Sequence, residues 1–376
     1  MRNQSKILFC CKLTILYLLA KLKFLHVLLP KELKNELPLD WNNRMFWTAF
    51  QSGGQKIYFD YYSELKKPVS YEPKIKVDSE LQLTEKDLKF FYDNGYLGPF
   101  DLIDPDEAKA LQEHLVNLYN KESKIYSYSR GDYEFDDPTD PDLAKVIQLD
   151  SVKRQGHDRH LEDPTLLNLF KRPEITERCA QLLGPDLILW YSQFFQKPPH
   201  SDRTEWHQAS TWLSFDQKRS ILHPQDSEDL FQLTCWIALT DATKYNGCMT
   251  VVPGSHWEIS PVQLSTAQTT TGYGAYQGTL CYPIDEQKVN LIEMKAGQFF
   301  IFTERVIHGS VDNVSDDWRW AVNGRIAKTN TKVFTKEMLE ENLEISIYRI
   351  KKFKLDNWKA VLLRGQDRFG YNRLLE

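Results

Sequence analysis

Gly297-Gln298-Phe299-Phe300-Ile301-Phe302, followed four residues later by Ile307-His308-Gly309-Ser310, is the stretch on which the fold turns. An unbroken apolar run of strand length, entered through a glycine-containing turn, reads as a strand buried on both faces, and it delivers His308 near its exit. Upstream, Trp206-His207-Gln208-Ala209 carries a second histidine 101 residues before the first, a separation suited to two facing strands of one barrel. Further short β-type runs lie at 187–195, 233–239, 249–252 and 319–327, separated by long loops. Helical periodicity is gathered on the N-terminal side. Thr84-Glu85-Lys86-Asp87 reads as an N-terminal cap for a helix that Asn94-Gly95 stops, and a second helix starts after Asp104-Pro105-Asp106-Glu107 and runs through Leu118. A third helical region covers 164–183. Strands after helices predict an α+β, mainly β chain with a jelly-roll barrel packed against helices.

The two histidines point to chemistry. On an extended segment residues i and i+2 face the same side, so a His-x-Asp turn grips one metal ion. Two His and one carboxylate are the usual set for non-haem Fe(II), leaving positions open for co-substrate and O2. Here the third position is Ala209, a methyl group that coordinates nothing. A vacated position beside two retained histidines is best explained by an external ligand such as halide. Arg319 and Arg325, in Arg319-Trp320-Ala321-Val322-Asn323-Gly324-Arg325, alternate along a strand, and a rigid guanidinium fork suits the far carboxylate of 2-oxoglutarate.

At these residues, and at Trp236-Ile237-Ala238-Leu239-Thr240-Asp241-Ala242, Asn246-Gly247-Cys248, Val252-Pro253-Gly254-Ser255-His256, Asn94-Gly95-Tyr96-Leu97-Gly98-Pro99-Phe100-Asp101 and Asp158-Arg159-His160-Leu161, the chain resembles the phytanoyl-CoA dioxygenase superfamily. Within it, the chain is most similar to the 2-oxoglutarate-dependent halogenases of the syringomycin threonyl chlorinase type. The resemblance runs in order from about Leu83 to the end. It implies a double-stranded β-helix of the cupin type, with Fe(II), 2-oxoglutarate, chloride and O2 as cofactors and co-substrates. It further implies His207 and His308 as metal ligands, Ala209 as the vacated position taken by chloride, and Arg319 for the 2-oxoglutarate C5 carboxylate. Arg325 lies deeper near the halide, the two arginine roles being exchangeable. Thr204, Thr234 and Trp236 fall near the oxo acid, offering hydroxyls and an indole N–H, and Phe195 walls the iron pocket, where ordinary core packing explains it almost as well. Gln193 and Ser210 depart from the pattern, which has carboxylates there, and leave the outer hydrogen-bond shell open. The implied reaction is chlorination of an unactivated C–H in an acyl or aminoacyl group carried on an acyl or aminoacyl carrier protein, with a freestanding small-molecule substrate as the alternative.

Plainer readings stand beside these. A histidine taken alone is as readily a buried side chain bonded to backbone, and His256 reads as a loop residue capping its turn. His157 and His160 suit a structural network with neighbouring Asp and Arg. A hydroxylase that recruits water, or a carboxylate such as Glu205 or Asp216, keeps the iron and changes the outcome. A non-catalytic binding protein would have no reason to keep the two arginines.

Composition bounds the rest. The chain has 376 residues, is 41% hydrophobic and carries a net charge of −5, enough to bury a large core and giving no sign of nucleic acid. Its six cysteines lack metal or disulfide spacing, so a reducing cytoplasm is the expectation. The expected division is a basic, Leu-rich extension and connector over 1–82, and a catalytic domain over 83–376. Within the extension, residues 1–35 hold Arg2, Lys6, Lys12, Lys21, Lys23, Lys31 and Lys34 against Glu32 alone. Its apolar stretch is too short and broken to span a membrane, and packing of an amphipathic helix against the protein is preferred to contact with a membrane surface. A second basic run, 348–373, reads as a carrier-protein docking surface or simply as a solvated face.

Overall fold

The computed structural model describes residues 6–121, 123–125, 127–128, 156–213, 219–264, 278–341, 343–345 and 350–376. Helix α1 (Lys6–Lys21) packs on α2 (Asn43–Ser52), whose first turn is capped by the Asn42 side chain and whose end is turned by Gly53 at φ 63°. Helix α3 (Glu85–Asn94) begins with a full capping box between Thr84 and Asp87 and stops at Gly95, which adopts φ 85° as only glycine does without strain. Asp104 caps α4 (Pro105–Tyr119), with Pro105 in the first turn where its missing N–H costs nothing. The helical region read as continuous over 164–183 is two helices, α5 (Pro164–Phe170) and α6 (Pro173–Leu183). Pro173 cannot donate to the preceding turn, so one helix ends and another starts. The acidic run 132–142 lies outside the described residues.

Ten strands build two sheets. They are β1 (Tyr96–Asp101), β2 (Leu187–Lys197), β3 (Thr204–His207), β4 (Gln232–Ala238), β5 (Met249–Val252), β6 (Asn290–Ile292), β7 (Gln298–Phe302), β8 (Ile307–Ser310), β9 (Arg319–Lys328) and β10 (Val361–Arg364). One sheet has the order β10-β2-β9-β4-β7-β1 and the other β6-β5-β8-β3. Every pairing within them is antiparallel. The architecture is thus helices with mostly antiparallel sheet.

Strand alternation assigns the two faces of the larger sheet. Leu233, Cys235 and Ile237 of β4, Phe299 and Ile301 of β7, and Trp320, Val322 and Ile326 of β9 face a core shared with Leu88, Leu111, Ile175 and Leu182 of the helices. The opposite parity, Trp236, Ala238, Phe300, Phe302 and Ala321, meets Met249, Val251 and Ile292 of the smaller sheet. Arg319, Asn323 and Arg325 share the parity of Ala321 and so lie between the sheets, all at 3–5% exposure. Each fully buried large apolar side chain in these layers contributes about 1.5–3 kcal/mol.

His207 and His308 are not on facing walls. They are direct antiparallel partners on the neighbouring strands β3 and β8. A separation in sequence carries no information on which strand pairs with which.

The N-terminal segment is bound into the molecule. Leu13 and Tyr17 of α1 and Met45, Phe46 and Ala49 of α2 form one core cluster with Leu213 and Ile259. Among the described residues, no helix is long and apolar enough to cross a membrane. In the C-terminal basic run, Arg364 makes a two-pronged pair with Glu177 at 2.9 and 3.1 Å, and Arg373 donates to the Leu355 carbonyl at 2.7 Å.

Candidate active site

The register of β3 and β8 brings the two imidazoles side by side, with ring centroids 4.1 Å apart. Each ring is held the same way. Nδ1 of His207 donates to the Glu205 carbonyl at 2.8 Å, and Nδ1 of His308 donates to the Val306 carbonyl at 2.7 Å. A proton fixed on Nδ1 makes Nε2 the lone-pair atom, as a metal ligand requires. Burial lowers the pKa of His207 to about 3, with repulsion from His308 adding to it, and burial lowers that of His308 to about 4. Both are neutral at physiological pH. Phe302 packs edge-on against His308 at 4.9 Å.

Gln208 locks the turn after His207 by donating to the carbonyls of Ser255, Glu258 and Arg305 and accepting from Ser260 N–H at 2.9 Å. Ala209 follows, 3% exposed, its N–H donating to the Glu304 carbonyl at 2.8 Å. Among the described residues, no third His, Cys, Asp or Glu joins the histidine pair in a metal-holding group. Glu205 is solvent-facing and pairs with Arg203 at 3.5 Å, while Asp216 lies outside the described residues.

A buried ion pair stands next to this vacated corner. Glu304, 2% exposed, takes Arg325 Nε at 2.6 Å and the Thr234 hydroxyl at 2.5 Å on Oε1. Its Oε2 is buried and has no hydrogen-bond partner. The Arg325 guanidinium stacks between Trp212, at 4.0 Å, and Tyr191, at 4.4 Å. Thr234 was expected to anchor the oxo acid, but its proton is committed to Glu304. Ser210 and Gln193, the two departures from the resembled pattern, accept a contact from Arg305 at 3.3 Å and one from the Tyr191 hydroxyl at 3.3 Å.

A second set of groups is short of anions. Arg319, 4% exposed, donates only to the carbonyls of Gly247, at 3.1 Å, and Phe195, at 3.4 Å, and lies over the Trp236 ring at 5.2 Å. Burial brings its pKa down to about 10. Opposite it in register sits Lys197, 5% exposed, which donates to the Asp202 carbonyl at 2.7 Å and Ser310 Oγ at 3.0 Å. Burial, aided by repulsion from Arg319, lowers its pKa to about 8. Among the described residues neither cation has a carboxylate within 4.0 Å, and the nearby Trp236 Nε1–H is buried without an acceptor. Two buried cations and an orphan donor have the charge and placement of an anion receptor. Ser310 ties this receptor to the histidines, because it lies two residues beyond His308 and also accepts Thr204 N–H at 3.1 Å.

Comparison with known proteins assigns the family. The phytanoyl-CoA dioxygenase (PhyH) family model matches residues 91–321, more than half of the chain. The chain belongs to the phytanoyl-CoA dioxygenase family. Membership makes it an enzyme of the Fe(II)- and 2-oxoglutarate-dependent oxygenases, which use Fe(II), 2-oxoglutarate and O2. Similar PhyH proteins include a probable phytanoyl-CoA dioxygenase of Caenorhabditis elegans, 23% identical over 73% of this chain and 87% of that one. The peroxisomal phytanoyl-CoA dioxygenase of Bos taurus is 24% identical over 73% of this chain and 78% of its own. Among solved structures, CytC3 with Fe(II) and alpha-ketoglutarate aligns with a TM-score of 0.56 at 24% identity, covering 78% of this chain and 94% of that one. The non-heme monooxygenase ThoJ aligns at 0.53 with 20% identity, covering 77% and 86%. The likeness to these structures is one of fold.

Within this PhyH chain, His256 is not part of the site. Its Nε2 donates to the Tyr92 carbonyl at 3.0 Å. His157 and His160 bond the Tyr191 hydroxyl and Ser192 Oγ. Sequence reading passed over Lys197, Glu304 and Trp212. Alternation along β2 from Phe195 carries one pair of residues further to Lys197, which was the available signal.

Proposed function

We propose that this PhyH enzyme is a chloride-dependent aliphatic halogenase with the cupin-type jelly roll that its two packed sheets suggest. The observation that carries the proposal is the buried methyl of Ala209 at the third-ligand position beside two neutral, Nε2-presenting histidines. The donor set fits Fe(II): His207 and His308 would hold it, and Arg319, Lys197 and the Trp236 N–H would hold the distal carboxylate of 2-oxoglutarate. Bound Fe(II) with 2-oxoglutarate and O2 supplies an oxidant able to remove hydrogen from an unactivated C–H. The balanced reaction is R–H + Cl⁻ + H⁺ + 2-oxoglutarate + O2 → R–Cl + succinate + CO2 + H2O. The chain's own work is positioning. The carbonyls of Glu205 and Val306 aim the imidazoles, the stack of Trp212 and Tyr191 fixes Arg325, and the apolar wall of Phe195 and Phe302 keeps water from the reacting carbon.

The substrate class that fits is an acyl or aminoacyl thioester on a phosphopantetheine arm. Support comes from the resemblance and from relatives named for an acyl-CoA. The C-terminal basic run adds little, since Arg364 and Arg373 are spent inside the molecule.

Hydroxylation is the second reading, and one observation favours it. The unpartnered Glu304 Oε2 places negative charge near the corner a halide would occupy. Anaerobic titration with Fe(II) and 2-oxoglutarate, following the visible charge-transfer band, separates the two. A band that moves with chloride supports halogenation, and a band indifferent to chloride supports hydroxylation. Ala209→Asp is expected to abolish chlorination; robust chlorination by that variant would sink the open-position idea.

A further inference from the structure

Helix α1 is apolar on two opposed sides. Its inner stripe, Leu13, Tyr17 and Ala20, is 3–8% exposed and packs on α2 and the loop at Leu213. Its outer stripe is bare: Ile7 is 76% exposed, Ile15 59%, Leu18 58% and Leu22 41%. The 3-10 turn that follows, Lys23–Leu28, extends this face with Phe24 at 73%, Val27 at 86% and Leu28 at 79%. Leu8 joins them, so eight of the eighteen large apolar side chains exposed among the described residues fall within 7–28. Scattered surface leucines are ordinary, but a contiguous patch of this kind marks a face that something covers.

Charge says what covers it. Over 6–36 there are six lysines against Glu32 and Glu36, and no acid before Glu32, giving +4. The whole chain carries −5, so the remainder carries −9. The segment that carries the bare apolar face is thus net positive, while the rest of the chain is net negative. Lys23 sits exposed between Leu22 and Phe24, while Lys12 pairs with Glu36 at 3.2 Å and Lys21 donates to the Trp41 carbonyl at 2.7 Å. The face is the outer surface of one helix and the turn after it. An apolar stripe flanked by lysines is what inserts at the boundary between head groups and acyl chains of an anionic bilayer.

We infer that α1 and the 3-10 turn after it dock this enzyme on the surface of an anionic lipid bilayer, lying in its plane without crossing it. The test uses the full chain and vesicles of phosphatidylcholine, with and without phosphatidylserine, in a flotation assay. Expected is at least about tenfold more protein bound when phosphatidylserine is present, weakening as salt rises from about 0.1 to 0.5 M. The double substitution Ile15→Glu with Leu18→Glu, at solvent-facing positions, should cut binding to about a hundredth or less. Its melting temperature should match the parent. Lys23→Glu should reduce binding to phosphatidylserine vesicles alone. Equal binding by parent and double variant overturns the proposal, as does no binding to any vesicle. Concentration-dependent dimerisation that the double variant removes, without vesicle binding, assigns the face to a second copy of this chain instead.

Discussion

At Lys197 and Arg319 two cations are held out of water with only neutral oxygens for company. Buried cations without a paired anion are costly, and in the proposed reading the distal carboxylate of 2-oxoglutarate is the anion that relieves this cost. Lys197→Met keeps the length of the side chain and removes its charge. The expected result is a KM for 2-oxoglutarate raised about 10- to 100-fold, the value of one charged hydrogen bond, with little change in kcat. Steady-state succinate formation measures it. The histidines predict a second behaviour. His207 and His160 have pKa values lowered to about 3, and His308 and His256 to about 4, all chiefly through burial. Unfolding returns them to about 6.5. The unfolded chain then binds more protons between these values, so stability is full above pH 6.5 and falls as pH drops toward 4. Melting temperatures of the metal-free protein should decline across that range, the folded state's proton uptake at the buried carboxyls of Asp60 and Asp158 offsetting part of the loss. A flat profile would mean that the rings are hydrated.

At the scale of elements, the strands carrying the histidines meet where only glycine fits. A Cβ on Gly309 would lie 2.6 Å from the Thr204 carbonyl oxygen, on the partner strand. Gly309→Ala must push β3 and β8 apart beside the His207–His308 pair. We expect a loss of about 1–3 kcal/mol in urea unfolding and a larger proportional loss of Fe(II) affinity by titration. Elements were legible in the sequence wherever their cause is local. The Thr84 to Asp87 capping box, the Pro105 start and the apolar run 299–302 each contain their own explanation. Pairing was not legible, because the adjacency of β3 and β8 is decided by contacts distant along the chain. The site followed the same rule. His207, His308, Arg319 and Ala209 stand in recognisable patterns, whereas Glu304 and Trp212 matter only for what folding sets beside them.

Across the whole molecule, the extension braces the site. Asp60 is 3% exposed and accepts the N–H groups of Thr211 and Trp212 at 2.5 and 3.0 Å. Ser63 accepts Arg305 Nη1 at 2.8 Å. The loop that begins at Ala209 and ends on the Arg325 stack is therefore shaped by residues from the segment before 83. Asp60→Ala leaves two buried donors unanswered, and should cost about 1–3 kcal/mol in urea unfolding. Succinate production coupled to substrate should fall further than that loss of folded protein explains, since Trp212 no longer caps Arg325.

The Asp60 brace joins positions 151 residues apart in the chain. A change in the loop after Ala209 that alters its backbone path must be answered at position 60, and the reverse holds. In descent these two stretches are bound to vary as a pair, and recombination that exchanged one without the other would break the site while leaving each parent segment intact.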